Sequence, residues 1–338
     1  MPMTVSGYNF AMKRRQFIAA AGVAGLTGFL SNSANAKIQG LLIVGKDDWL
    51  FPIWDDVTHT DLKAIDTVCA LFDTAIDVLA KAKIQTVMMV TPVKSRVLRD
   101  MMPDDVRYAP DVETRYDRLR AALGKNGTQV PDLAATLIAL HKAQPSLPIF
   151  FKGDTHWTAA GAEAAAATVA KVIKEKIKLP PASGAGVAFA PAVGKLKQEK
   201  NDLSAMLQGP EKAKYKLEEY PIHTVAQNAG SLLEGDAPAD VVVIGNSFTQ
   251  PRLGFANMLS NQLGRPVTLH WKVHQFGPYF TLLDYLATPG FKAHKPALIV
   301  WDFHESDVIM GPEHKDSWGP SAMSSAEFLS KLHAALGV

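Results

Sequence analysis

Short, mostly apolar runs alternate with segments of helical period along most of this chain, and that alternation narrows the possible folds more than any other feature. Residues 84–90, 241–244, 267–273 and 297–303 are such runs; the second is Val-Val-Val-Ile without interruption. A strand buried on both faces reads this way, because neither side needs polar residues facing water. Between the runs, Leu62, Ile65, Cys69, Phe72, Ile76 and Leu79 recur every three or four residues. That spacing puts one apolar stripe on a helix over residues 60–83. Further helices are expected over 112–123, 132–143, 252–263, 279–287 and 325–336. A long Ala-rich helix, with Thr158 as its cap, is expected to reach about residue 176. Shorter strands are expected over 40–44, 49–51 and 149–152. Strand–helix alternation of this kind predicts an α/β domain, a mostly parallel sheet with helices on both faces.

The alternation is interrupted once. Residues 179–194 are rich in Pro, Ala and Gly and read as a loop. Residues 195–240 are polar and without period, so an irregular insertion is expected at about 180–240 of a domain spanning 37–338. The first 36 residues read as an export signal. Lys13, Arg14 and Arg15 precede a mildly apolar run, and Ala34-Asn35-Ala36 is a small-x-small cleavage pattern. Arg14-Arg15-Gln16-Phe17-Ile18 resembles a twin-arginine signal, although Lys13 stands where Ser or Thr is usual, which leaves an ordinary Sec signal as the alternative. A periplasmic location is the expectation. Of the 35 basic residues three lie in this segment, which has no acidic one, leaving 32 against 33 acidic residues. A near-neutral body argues against nucleic acid as a partner. The one cysteine, Cys69, allows no intrachain disulfide and sits on the apolar stripe, where it reads as core.

Two constellations carry chemistry. The run 241–244 leads straight into Gly245-Asn246-Ser247-Phe248. Sites in open α/β sheets lie at the carboxyl ends of strands. A serine in such a turn is accessible, and its main-chain N–H can help hold an oxyanion. The second is Asp154-Thr155-His156 in a loop after a strand. A serine hydroxyl needs a base, histidine suits that role, and a carboxylate must orient the imidazole. Taken singly, each has a plainer reading: a turn serine, a capping aspartate with a surface histidine. A metal site is not expected, since the only other cluster of ligand types is His304, Glu305 and Asp307.

Together these pieces resemble the alginate O-acetyltransferase family of AlgJ and AlgX type. The specific part is Asp154-Thr155-His156-Trp157-Thr158 with Gly161-Ala162, followed far later by Gly245-Asn246-Ser247-Phe248. Weaker landmarks agree. Gly45-Lys46-Asp47-Asp48-Trp49-Leu50-Phe51 is similar to the family's G-K-D-G-W-L-F, with Asp48 in place of Gly. Thr91-Pro92-Val93-Lys94-Ser95-Arg96 resembles P-x-K-x-R, and Val130-Pro131-Asp132-Leu133 resembles V-x-D-L. Asn201-Asp202-Leu203-Ser204-Ala205-Met206-Leu207 resembles G-D-L-x-x-M-L without its Gly, and Trp301-Asp302 stands where the family has W-E.

The resemblance implies a circularly permuted SGNH-hydrolase-like fold, with a flavodoxin-like parallel sheet. It assigns Ser247 as nucleophile, His156 as base and Asp154 as its orienter, acting through an acetyl-serine on an exopolysaccharide. It implies no cofactor, and a multispanning membrane O-acyltransferase partner as acetyl donor. Lys94, Arg96 and Arg252 are further candidates for substrate or donor contact, and Trp157 and Trp301 for stacking on sugar; solvated loop charges and core packing are the plainer readings. His274, Phe276 and Tyr279, around Gly277, are candidates for the cleft wall or the second oxyanion donor. The same triad with water as acceptor would make an acetyl esterase, and a degenerate site would leave a sugar-binding component of a secretion complex. Alginate is a polyanion and the body is near neutral, so a neutral polymer such as cellulose stays open.

Overall fold

The computed structural model describes residues 37–226 and 239–338. The export signal expected at residues 1–36 lies outside them, as does the stretch 227–238 of the insertion. Nine strands are described: β1 (Lys37–Gln39), β2 (Leu42–Val44), β3 (Leu50–Pro52), β4 (Gln85–Thr91), β5 (Phe189–Lys197), β6 (Glu219–Val225), β7 (Val241–Gly245), β8 (Val267–Trp271) and β9 (Leu298–His304). The longer helices are α1 (Leu62–Lys81), α2 (Pro110–Leu123), α3 (Leu133–Ala143), α4 (Ala159–Lys176), α5 (Phe255–Leu263), α6 (Gly277–Leu286) and α7 (Ser325–Leu336). The four runs read as doubly buried strands form one parallel sheet in the order β4-β9-β7-β8.

Side chains alternate along these strands and feed two cores. Val87, Met89, Val241, Val243, Leu298 and Val300 face α3, α4 and α5. Met88, Val90, Val242, Ile244, Ile299 and Trp301 face α1, α2, α6 and α7. Two cores explain why the strands lack polar alternation. Each fully buried Val, Leu, Ile or Phe contributes about 1.5–3 kcal/mol of hydrophobic stabilisation. Cys69 is part of the second core, and burial pushes its thiol up to about 12.

Four expectations need correction. Residues 149–152 form no strand, only a single bridge between Phe150 and Trp157. The helix expected over 252–263 is split, because Gly254 sits at φ +79 between a 3-10 turn (Pro251–Leu253) and α5. Thr158 does stand at the N-cap of α4, but its hydroxyl donates to the Pro148 carbonyl at 2.5 Å instead of capping the helix. The insertion is not irregular. β5 and β6 form an antiparallel hairpin with a register shift between Phe189 and Val193. β5 is mostly exposed and the pairing is bulge-broken, so β5 lacks the two-residue alternation that betrays a strand.

Candidate active site

β7 delivers Ser247. Its end residue Gly245 leaves no free space for a side chain, since an added Cβ would press on the Thr249 side chain. Beyond it the Asn246 side chain accepts the Phe248 N–H at 2.9 Å, closing the turn that presents the serine. Beneath the turn lies Asp302 of β9. Thr91 Oγ1 donates to it at 2.7 Å, and the Asn246 main-chain N–H lies against the same carboxyl. Burial pushes the Asp302 carboxyl up to about 7.

The loop between Phe151 and Trp157 delivers the other two groups. His156 Nε2 lies 2.8 Å from Ser247 Oγ, and His156 Nδ1 lies 2.6 Å from Asp154 Oδ1. Asp154 Oδ1 also accepts the His156 N–H at 2.9 Å. Its Oδ2 accepts the main-chain N–H of Asp202 at 2.7 Å and Gln198 Nε2 at 3.4 Å. Burial alone would raise this carboxyl. The hydrogen bonds from His156, its charge and the Asp202 N–H prevail and hold it at about 2. Asp154 therefore stays ionised across the neutral range. The Phe248 ring stacks on that of His304 and meets the tilted ring of His156, each centroid 4.8 Å away.

The remaining candidates serve the frame. Lys94, considered for substrate contact, is 1% exposed. Its Nζ donates to the carbonyls of Leu50 (2.7 Å), Phe151 (2.7 Å), Asp154 (2.9 Å) and Lys152 (3.2 Å). Burial lowers its pKa to about 7, against the nearby charges of Asp154, Asp55 and Glu218. Arg96 is bound to the buried Glu305, Nη2 to Oε1 at 2.6 Å, with Arg115 on the same carboxylate at 2.9 Å. Arg252 turns to the insertion, 2.6 Å from Glu199. Trp157, Trp301 and Tyr279 are buried, so neither tryptophan can stack on a polymer and Tyr279 does not line an open cleft. Trp157 Nε1 donates to the Phe248 carbonyl at 2.7 Å, stitching the Asp–His loop to the serine turn. Trp301 lies against Phe72, and the Tyr279 hydroxyl donates to the Met310 carbonyl at 3.1 Å. His274 does line a small recess beside Asn246, together with Lys272, Gly277, Pro278, Asp302 and Asp307.

Sequence reasoning missed Gln198 as a partner of the site, and saw Asp202 only as part of a weak landmark. Among the described residues, Asp154, His156 and Asp202 are the set whose possible metal-ligand atoms converge, all within 4.8 Å of one another. A cation there would displace the Nδ1 proton that Asp154 holds. In the other expected cluster, Glu305 is taken by two arginines, and Asp307 is taken by His274 at 3.0 Å.

A parallel α/β sheet with a serine, a histidine and an aspartate joined in line at its carboxyl edge is the architecture of SGNH-hydrolase-like proteins. Residues 42–305 match the family model described as "SGNH hydrolase-like domain, acetyltransferase AlgX", and the chain belongs to that family of acetyltransferases. It is 28% identical over 290 residues to the "Probable alginate O-acetylase AlgJ" of Pseudomonas syringae pv. tomato, covering 81% of this chain and 70% of that protein. To the "Alginate biosynthesis protein AlgX" of Pseudomonas putida it is 25% identical, over 78% of this chain and 56% of that one. Among solved structures, the O-acetyltransferase domain of Pseudomonas putida AlgJ superposes with a TM-score of 0.68 at 23% identity, covering 87% of this chain and 99% of that one. The fold is thus the SGNH-hydrolase-like fold expected from the sequence. The left-handed backbone of Asp48, φ +58, falls where the family pattern has Gly.

Proposed function

We propose that this chain is an O-acetyltransferase that acetylates an exopolysaccharide through an acetyl-serine. The observation that carries the proposal is the unbroken line from Asp154 through His156 to Ser247, at 2.6 and 2.8 Å, within an acetyltransferase family. Ser247 Oγ attacks the acetyl carbonyl while its proton passes to His156 Nε2. Collapse of the tetrahedral adduct expels the donor's oxygen, which takes that proton. A sugar hydroxyl then gives its proton to His156 and attacks the acyl carbon; Ser247 Oγ leaves and recovers the proton. The Ser247 N–H is a natural oxyanion donor. Transfer needs the acceptor hydroxyl held so close that it outruns water.

Alginate is the acceptor named for the relatives, and a uronate or neutral polymer is the substrate class for this chain. The donor on this proposal is an acetyl group supplied across the membrane by a multispanning O-acyltransferase, and the protein works in the periplasm. The export signal read at residues 1–36 supports that location. Among the described residues, no helix is long and apolar enough to cross a membrane. Incubation with para-nitrophenyl acetate and oligosaccharides of several types tests the proposal. Mass spectrometry should find one acetyl group on Ser247 and acetylated product. Release of free acetate alone with every acceptor, together with rapid deacetylation of acetylated oligosaccharides, would replace transferase by esterase.

A further inference from the structure

The segment between β5 and β6 reaches the reacting centre through Gln198 and Asp202, and Asp202 does so in two ways. The main-chain N–H of Asp202 holds Asp154 Oδ2 at 2.7 Å. Its side chain returns to the same pair, with Oδ2 3.6 Å from His156 Nδ1. That distance is too long for a hydrogen bond but short for a charge contact. We propose that Asp202 is a positioning residue of the site, a second carboxylate that balances the charge His156 gains and keeps its Nδ1 edge turned toward Asp154. The inference rests on the assignment of His156 as base.

A neutral imidazole gains little from a carboxylate at this distance, and an imidazolium gains much. Asp202 therefore acts on the state formed as the proton leaves Ser247, which is the condition for helping the chemical step. Lys200 tempers it: its Nζ lies 3.0 Å from Asp202 Oδ1 on a side chain 74% exposed. Other groups face His156 too. Asp154 is on its own loop, with Lys94 behind the Asp154 carbonyl. Glu218 of the insertion accepts the Lys152 N–H at 2.7 Å. His304 stands beyond Phe248, and burial lowers it to about 4, so it stays neutral. None of these depends on the Asp202 side chain. Nor does the local fold: Ser204 N–H donates to the Gly153 carbonyl at 2.9 Å and Ala205 N–H to that of Asn201 at 3.1 Å.

The test is the pH profile of kcat/KM for para-nitrophenyl acetate in Asp202→Asn, Lys200→Met and the double variant. Asp202→Asn keeps the main-chain contact and removes only the charge. Its acid limb should move to lower pH by about half a unit or more, with a plateau about 3–10-fold lower, as expected for losing a charge partner at this range. Lys200→Met unmasks Asp202 and should move the acid limb the opposite way. The double variant should follow Asp202→Asn. A purely structural role gives no such opposition. Unmoved acid limbs, or shifts of one sign in both single variants, overturn the inference. Lys200 is an exposed surface residue whose replacement should leave the fold intact, so its upward shift decides the matter even if Asp202→Asn is unstable. If the parental protein is not acetylated on Ser247, the assignment of the base falls first; if it is acetylated and the limbs stay put, only Asp202 falls.

Discussion

The serine turn and the Asp–His loop meet at the bond between Ser247 and His156 and at that from Trp157 to the Phe248 carbonyl, yet they are held in opposite ways. The turn is local: Gly245 clears space for Thr249, the Asn246 side chain takes the Phe248 N–H, and the strand aims the result. The loop belongs to no strand or helix. Lys94 gathers its carbonyls, Trp157 anchors it to Phe248, and Gln198 and Asp202 of the insertion close over Asp154. A nucleophile needs an accessible atom on a rigid strand end. A base needs two fixed neighbours and low exposure, and a loop gets these only from remote segments.

The contrast predicts different failures. Ser247→Ala should lower turnover of para-nitrophenyl acetate by about 10³-fold or more, with an unchanged melting temperature. Near-parental activity would end the nucleophile assignment. Lys94→Met should instead cost stability and activity together. It strips four carbonyls of a buried cationic donor, a loss of roughly 3–5 kcal/mol by denaturant titration. If Lys94→Met unfolds at the parental denaturant midpoint, the loop is held some other way. Gly245→Ala should cost about 1–3 kcal/mol through overpacking against Thr249, mostly within the serine turn. A variant as stable and active as the parent would show that the turn has slack.

The smallest effects lie in how stability varies with pH, and the two buried aspartates should differ in sign. Asp154 is held at about 2 in the fold, below the ordinary aspartate value of 3.8. Its contribution is present above the unfolded value and lost as pH falls from about 4 toward 2; it amounts to roughly 2 kcal/mol. Asp302 is raised to about 7 by burial. Its contribution is present below the unfolded value and lost as pH rises from about 4 through 7. Asp154→Asn should therefore flatten the acid side of the stability curve, and Asp302→Asn should flatten the stretch from pH 4 to 7. Equal slopes in both variants, followed by thermal unfolding across pH, would remove the distinction between the two regions.

Several things were legible in the residues themselves. The unbroken apolar runs required strands covered on both faces, and the strand leading into Gly245-Asn246-Ser247 marked its end as a site. Asp154 and His156 were readable because two residues suffice to set one against the other. The roles of Lys94, Trp157, Trp301 and Tyr279 were not. A lysine or an aromatic after a strand looks the same whether it meets solvent, sugar or core, and only packing decides. Lys94 is the clearest case: a charge that sequence reading turns outward is enclosed, because four carbonyls of distant segments replace its water.

The sequence by itself determined the sheet and the helices against its two faces, since hydrophobic period acts between near neighbours, and it marked Ser247, His156 and Asp154 as candidates. The tertiary structure alone decided which groups enclose that pair. The hairpin of β5 and β6 carries no periodic signal, yet the segment between its strands places Gln198 and Asp202 on Asp154, 44 and 48 residues away in the chain. Contacts at that separation depend on how the whole chain closes: Leu203 and Leu207, just beyond Asp202, are buried against Leu42 and Leu50 from the start of the domain, not by the segment's own propensity.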